Sequence, residues 1–237
     1  MDRLCDEIGL DTIETATTMG VAMEAGVISF GDAQGVIKLL KEDIMKGTVL
    51  GRVLGQGTAV TGKVFGVTRV PVVKGQSIPA YDPRSVKGMA VTYATSPMGA
   101  DHTAGYGVTA NILSVGGRVD PLKTEGQIEL SRNLQIATAA IDALGFCLFV
   151  AFSILDKPES LDDIAKMVNA QHGLNWEVND IMELGKKILR TELEFNRRAG
   201  FTSADDRLPE FFREEKLSPH DTIDDIKPEE LDTVFNF

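Results

Sequence analysis

Asp6-Glu7-Ile8-Gly9-Leu10-Asp11 stands near the start of the chain, and Asp142-Ala143-Leu144-Gly145-Phe146-Cys147 repeats its pattern past the middle. Each copy holds a carboxylate, a glycine turn and a second hydrogen-bonding or metal-capable group. Brought together, the copies would form a pseudo-symmetric pair of claws around one central ligand. Asp142 is read in the last turn of a long helix, where the negative end of the macrodipole disfavours a carboxylate by about 0.3–1 kcal/mol. A ligand rich in N–H donors would offset that cost. Cys147 is read in the first turn of the next helix, where the positive end favours a thiolate ligand. The plainer alternatives are an ordinary buried thiol at Cys147 and a simple helix cap at Asp11.

A third candidate is the loop Gly99-Ala100-Asp101-His102-Thr103-Ala104-Gly105. Small residues let such a loop carry Asp101 and His102 to a cavity, and histidine is the usual proton carrier near neutral pH. A lone histidine also serves structural roles. His172 precedes a helix-ending glycine and suits a helix dipole, and His220 lies in an acidic tail. Neither is assigned a function.

The elements that must position these residues are nearly all helical. Leu4-Cys5-Asp6 reads as the end of a helix whose body would precede Met1. Residues 12–23 repeat apolar positions at helical spacing, with Asp11 as cap and Glu14 completing a capping box. Residues 30–45 continue that period. Gly51, Gly55, Gly57, Gly62 and Gly66 lack the dinucleotide fingerprint and read as a helix packed closely through its glycines. Residues 67–77 are β-branched and extended. Asp82-Pro83 predicts a helix to about residue 96, and Asp120-Pro121 another to residue 143. Gly145 then gives a left-handed terminus, and a new helix starts at about Phe146. Residues 160–171 and 176–198 are further amphipathic helices. The expected fold is all-α and multihelical, in two lobes: residues 1–70, and residues 71–237 with an acidic tail wrapped in solvent over the surface.

Composition narrows the function. The net charge is −11 over 237 residues, much of it after Phe201, which makes a nucleic-acid partner unexpected. No run of about 18 apolar residues exists to span a membrane, and no basic leader opens the chain, so a cytoplasmic location is expected. Two cysteines, Cys5 and Cys147, exclude a disulfide framework and a four-cysteine metal site.

Seven blocks in order resemble one family. They are residues 6–15, Pro79-Ala80-Tyr81-Asp82-Pro83-Arg84, Lys87-Gly88-Met89, Tyr93-Ala94-Thr95-Ser96, Gly99-Ala100-Asp101-His102, residues 142–147, and Ala204-Asp205-Asp206-Arg207-Leu208-Pro209. Together the sequence resembles the C-terminal helical part of the aldehyde:ferredoxin oxidoreductases, tungsten or molybdenum bis-pterin enzymes. The resemblance implies that Asp6, Leu10, Asp11, Asp142, Phe146 and Cys147 hold the two pterins. It implies that Cys147 is also the fourth ligand of a 4Fe-4S cluster, and that His102 is a proton carrier near the metal. Implied partners are a small-molecule aldehyde substrate, ferredoxin as electron acceptor, and an N-terminal domain.

That domain, and the C-x-x-C-x-x-x-C run supplying the other three cluster ligands, lie outside this sequence. By itself the chain is therefore expected to bind neither metal pterin nor cluster stably. Phe146 replaces the family's usual Leu, Met98 stands where many members have Arg, and Ala104 where some have a basic residue. These departures leave room for a non-aldehyde substrate, such as a ring or a thioester. A non-catalytic helical scaffold is the alternative of a different class.

Overall fold

A computed structural model describes residues 1–157 and 159–237. The fold is all-α and multihelical, as expected, and the one sheet among the described residues is a hairpin of β1 (Val72–Val73) and β2 (Gln76–Ser77). No helix among these residues is long and apolar enough to cross a membrane.

Helix α1 is Asp2–Ile8. It ends at Gly9, whose φ of 84° is the left-handed conformation. Asp11 caps α2 (Thr12–Glu24) by accepting the Glu14 N–H at 2.7 Å. Glu14 does not complete a capping box. Its carboxylate instead accepts the N–H of Thr58 at 2.7 Å and of Ser77 at 2.9 Å.

The expected helix over residues 30–45 starts later. Asp32 caps α3 (Ala33–Lys38), which runs into a π-helical turn over Leu39–Ile44, and Phe30 is left exposed. The glycine-rich stretch forms two helices, α4 (Val49–Leu54) and α5 (Thr58–Phe65). Its glycines do pack closely: a Cβ on Gly51 would lie 1.9 Å from the Asp43 carbonyl oxygen.

Both Asp-Pro starts form turns rather than helix caps. The Asp82 carboxylate is taken by the Arg84 N–H and guanidinium, so α6 (Lys87–Thr95) starts later. Asp120 accepts the Leu122 N–H, and α7 (Gln127–Ala143) starts after Gly126, at φ 80°. Next comes α8 (Val150–Asp156), four residues later than the sequence suggested. Helices α9 (Ser160–His172) and α10 (Val178–Ala199) fall where the amphipathic pattern placed them.

Three apolar clusters hold these elements. One joins α2, the π-helical turn and α4 through Met19, Leu40 and Leu54. One lies between α7, α8, α9 and α10, around Ile141, Ile154, Ile164 and Ile181. The largest surrounds α6 and includes Leu208, Phe212, Ile226, Leu231 and Val234. The acidic tail is therefore no solvated wrap. Its short helices α11 (Phe211–Glu214) and α12 (Pro228–Leu231) turn apolar residues inward, each contributing about 1.5–3 kcal/mol by burial. The acids that dominate its composition mask that apolar set.

Helices α7 and α10 pack closely along their lengths. Gly185 permits the crossing, since a Cβ there would lie 2.0 Å from the Ile136 carbonyl oxygen. Gly185→Ala would gain about 1 kcal/mol of helix propensity but meets unyielding backbone. The clash wins, and a net loss of about 1–3 kcal/mol is expected in urea denaturation. An unchanged midpoint would contradict this crossing geometry.

Candidate functional site

The two claws share one turn geometry. In the first, Gly9 is left-handed and Leu10 N–H returns to the Cys5 carbonyl at 2.9 Å. In the second, Gly145 has φ 79° and Phe146 N–H returns to the Ile141 carbonyl at 3.1 Å. Both are helix ends closed by a six-residue back-bond, which needs a residue without Cβ strain at the turn. The claws then diverge. Asp11 caps α2 directly, whereas Cys147 sits three residues ahead of α8 and accepts the Val150 N–H at 3.0 Å. The expected first-turn position for Cys147 is thus corrected. Phe149 and Leu148 form an extra turn, and the thiol is exposed rather than buried.

Each claw faces its own concavity. Gly9, Leu10 and Asp11 line one of about 260 Å³ with Glu14, Gly57 and Gly75. Asp6 is exposed on α1. Asp142 lines a smaller cavity, of about 80 Å³, with Asp101, Gln135 and Glu192. The two linings share no residue. Between them lies the β1–β2 hairpin, which gives Gly75 to the first concavity while Gln76 and the Val73 carbonyl press on Gly99. Phe146 packs on the apolar cluster of α7–α10, which holds the second turn in place.

The loop after α6 delivers Asp101 to the second cavity and His102 beside it. Asp101 is fixed by Thr103, whose N–H and hydroxyl donate to its two oxygens at 3.1 and 2.6 Å. His102 Nδ1 lies 3.7 Å from Asp101 Oδ1, an ion-pair distance for a protonated ring and too long for a hydrogen bond. All three tyrosines of the chain gather nearby. The rings of Tyr81 and Tyr106 stand 6.0 and 5.9 Å from the imidazole, and their hydroxyls bond to each other at 2.5 Å. Burial and that bond push the Tyr106 hydroxyl up to about 12. The Tyr93 hydroxyl and His102 Nδ1 are buried without a partner.

Electrostatics differ between the claws. Burial alone would raise the Glu14 carboxyl, but the N–H groups of Thr58 and Ser77 outweigh it and hold it below its ordinary value. Partial burial raises Asp142, and the Asp101 charge adds to it. Partial burial also raises Glu192. No cation lines this cavity, and Met98 and Ala104 are among its lining residues.

The residues present fit a donor-rich planar group at the second claw, because everything polar that lines its cavity around Asp142 can accept. They do not fit a complete cluster. Cys5 is buried, Cys147 stands alone, and no three metal-capable side chains converge among the described residues. Sequence reasoning missed Gln135, Glu192 and the tyrosine cage. A polar residue between Leu134 and Ile136 was the available signal for Gln135. Nothing local marked Glu192.

Comparison with known proteins agrees with the geometry. The family "Aldehyde ferredoxin oxidoreductase, domains 2 & 3" matches residues 1–235, and the chain belongs to that family. The tungsten-containing aldehyde ferredoxin oxidoreductase of Pyrococcus furiosus is 33% identical over 232 residues, 91% of this chain and 38% of the relative. The enzyme of the same name from Thermococcus kodakarensis is 33% identical over 229 residues, 90% of the chain and 37% of the relative. That from Pyrococcus horikoshii is 31% identical over 234 residues. The chain thus spans about 38% of the length of these relatives.

The two claws predict opposite pH behaviour. Glu14 is depressed in the fold, so its stabilisation is present above the unfolded value near 4.5 and is lost as pH falls through the folded value. Glu14→Gln is expected to flatten the acid limb of a stability–pH profile. Asp142 is raised, so its favourable contribution exists below the unfolded value of 3.8 and is lost as pH rises through the folded one. Asp142→Asn is therefore expected to leave the chain equally or more stable at pH 7 by thermal denaturation. A marked loss would contradict a carboxylate kept for binding.

Proposed function

We propose that this chain forms the cofactor-facing helical part of a tungsten (or molybdenum) pterin oxidoreductase that converts an aldehyde and water to a carboxylic acid. The observation that carries this reading is the repeated claw turn, with the Asp101–His102 loop beside the second copy. In this reading Asp6, Leu10 and Asp11 hold one pterin, and Asp142, Phe146 and Cys147 the other. The exposed Cys147 thiol is free to complete a 4Fe-4S cluster with three ligands from outside the chain. The metal pterin, when bound, supplies the two-electron oxidation.

The reaction releases two protons and two electrons for each aldehyde and water consumed. His102 takes a proton at its imidazole, and Asp101, locked by Thr103, stabilises the imidazolium that results. Tyr81 and Tyr106 wall the ring against water on the faces they cover. A 4Fe-4S cluster completed by Cys147 would pass the electrons to ferredoxin, or a carrier like it, in the cytoplasm. The part of the relatives that this chain does not span supplies the remaining pterin and cluster contacts.

A second substrate class is favoured by one observation. Met98 and Ala104 leave the second cavity without a cation, which suits an uncharged ring or thioester as well as an aldehyde. His102→Asn in the holoprotein tests the shared chemistry. Turnover with the active substrate should fall about 100-fold or more, the usual scale of general acid–base catalysis, with unchanged tungsten and iron content. Unchanged turnover would remove His102 from the mechanism. Absence of turnover on aldehydes, rings and thioesters alike would favour the non-catalytic scaffold.

A further inference from the structure

A second cavity, of about 320 Å³, lies among α7, α8, α9 and α10. Ile141, one residue before Asp142, and Leu148, one residue after Cys147, both line it. Leu134, Ile154 and Ile181 are buried in its walls, while Leu155, Leu161 and Met182 line it and stay half-buried. No charged side chain lines it among the described residues. Its polar side chains are Asn133, which is exposed, and Thr138, which is buried. Thr138 is also the one residue it shares with the lining of the Asp142 cavity.

Two alanines leave this space open. Ala137 on α7 and Ala151 on α8 both line it, and a longer apolar side chain on either helix would fill part of it. Leucine is a good helix former, so helix propensity does not demand alanine at either position. Contacts at the flanks of α8 hold the helix around the space. Ile154 packs with Ile164 and Ile181, and the Phe152 ring stands edge-on to Tyr106 at 6.2 Å. Leu155 seats on Gly116, where a Cβ would lie 3.1 Å from it. An apolar space left empty costs stability, because its walls lose contacts they could have made. Water needs two to four polar partners and meets one buried hydroxyl here, whereas hydrocarbon meets apolar surface from all four helices.

We propose that this cavity is a binding site for one uncharged, largely hydrocarbon small molecule. Size sets the upper limit. An apolar cavity of about 150 Å³ takes one benzene ring, so a space of about 320 Å³ suits a fused bicyclic aromatic or a folded chain of about ten to twelve carbons. Charge sets the class. No lining side chain offers a counter-charge, so an ion entering the cavity loses its hydration without compensation. One hydroxyl or carbonyl on the ligand is accommodated at Thr138, whose hydroxyl can donate or accept. The site is independent of the pterin reading, since it uses neither Asp142 nor Cys147.

The test uses the chain as it stands, with naphthalene as probe and 2-naphthoate, the same rings bearing a carboxylate, as control. Naphthalene, titrated up to its solubility in water, should shift the methyl resonances of Ala137, Ala151 and Ile154 saturably and raise the thermal midpoint. The carboxylate of 2-naphthoate should weaken binding by about tenfold or more. Ala137→Leu and Ala151→Leu each put an isopropyl group into the space. Each should raise the midpoint of the ligand-free chain and weaken naphthalene by about tenfold or more. A misfolded variant cannot produce that pair of changes. Naphthalene shifts that miss these methyls, survive both leucine variants, or are matched by 2-naphthoate overturn the site. So does the absence of any saturable shift.

Discussion

Helix α6 has no face left for water, and most of the structure follows from that. All nine of its residues are buried, so its polar groups must look inward for partners, and the Tyr93 hydroxyl alone of its side chains finds none. Thr92 and Thr95 find them through the hydroxyl–amide chain to Ser131 and Gln135 on α7. The Gly88 N–H finds one on Asn111, and Lys87 reaches Asp225 and the Ile223 carbonyl in the C-terminal segment. The glycines at these contacts are obligatory. A Cβ on Gly105 would lie 2.7 Å from Gln135 Cγ, and one on Gly88 2.5 Å from Asn111 Oδ1. The same contacts fix the loop from Gly99 to Gly105, and so place Asp101 and His102 against α7 and the second claw. Site geometry and core packing are one set of interactions.

The claws divide stability and function differently. At the first, Glu14 is a strut: it ties α2 to the start of α5 and to the hairpin through two backbone N–H groups. At the second, Asp142 and Glu192 stand at one cavity with Asp101 and no lining cation, and partial burial raises the carboxyls of both. A scaffold selected only to fold would pair or remove them. That contrast is the physical basis for reading the second claw as a place where a ligand sits.

The sequence carried the helical class, the capped start of α2, the two long amphipathic helices α9 and α10, and both left-handed glycine turns. Those signals are local: a cap three residues from its N–H, a period of 3.6, a glycine where φ must be positive. It misplaced the starts of α6 and α7, because Asp82 and Asp120 spend their carboxylates on tight turns. It misjudged the C-terminal segment, because the charge of that stretch hid Phe212, Ile226 and Val234, which meet α6 only in three dimensions. It placed Cys147 inside a helix that begins three residues later. Gln135 and Glu192 were illegible for a related reason. They come from α7 and α10 and meet at one cavity only through the close crossing that Gly185 permits.

The account turns on the claws holding a metal pterin beside an iron–sulfur cluster whose last ligand is Cys147. The most direct measurement is metal analysis with low-temperature EPR of the native protein, purified anaerobically together with the part spanned by its relatives, as wild type and Cys147→Ala. About one tungsten or molybdenum and four irons per protein are expected, with a reduced-cluster signal that the substitution abolishes or converts to that of a three-iron cluster. A protein with neither metal nor iron, or a cluster signal untouched by Cys147→Ala, would contradict the account.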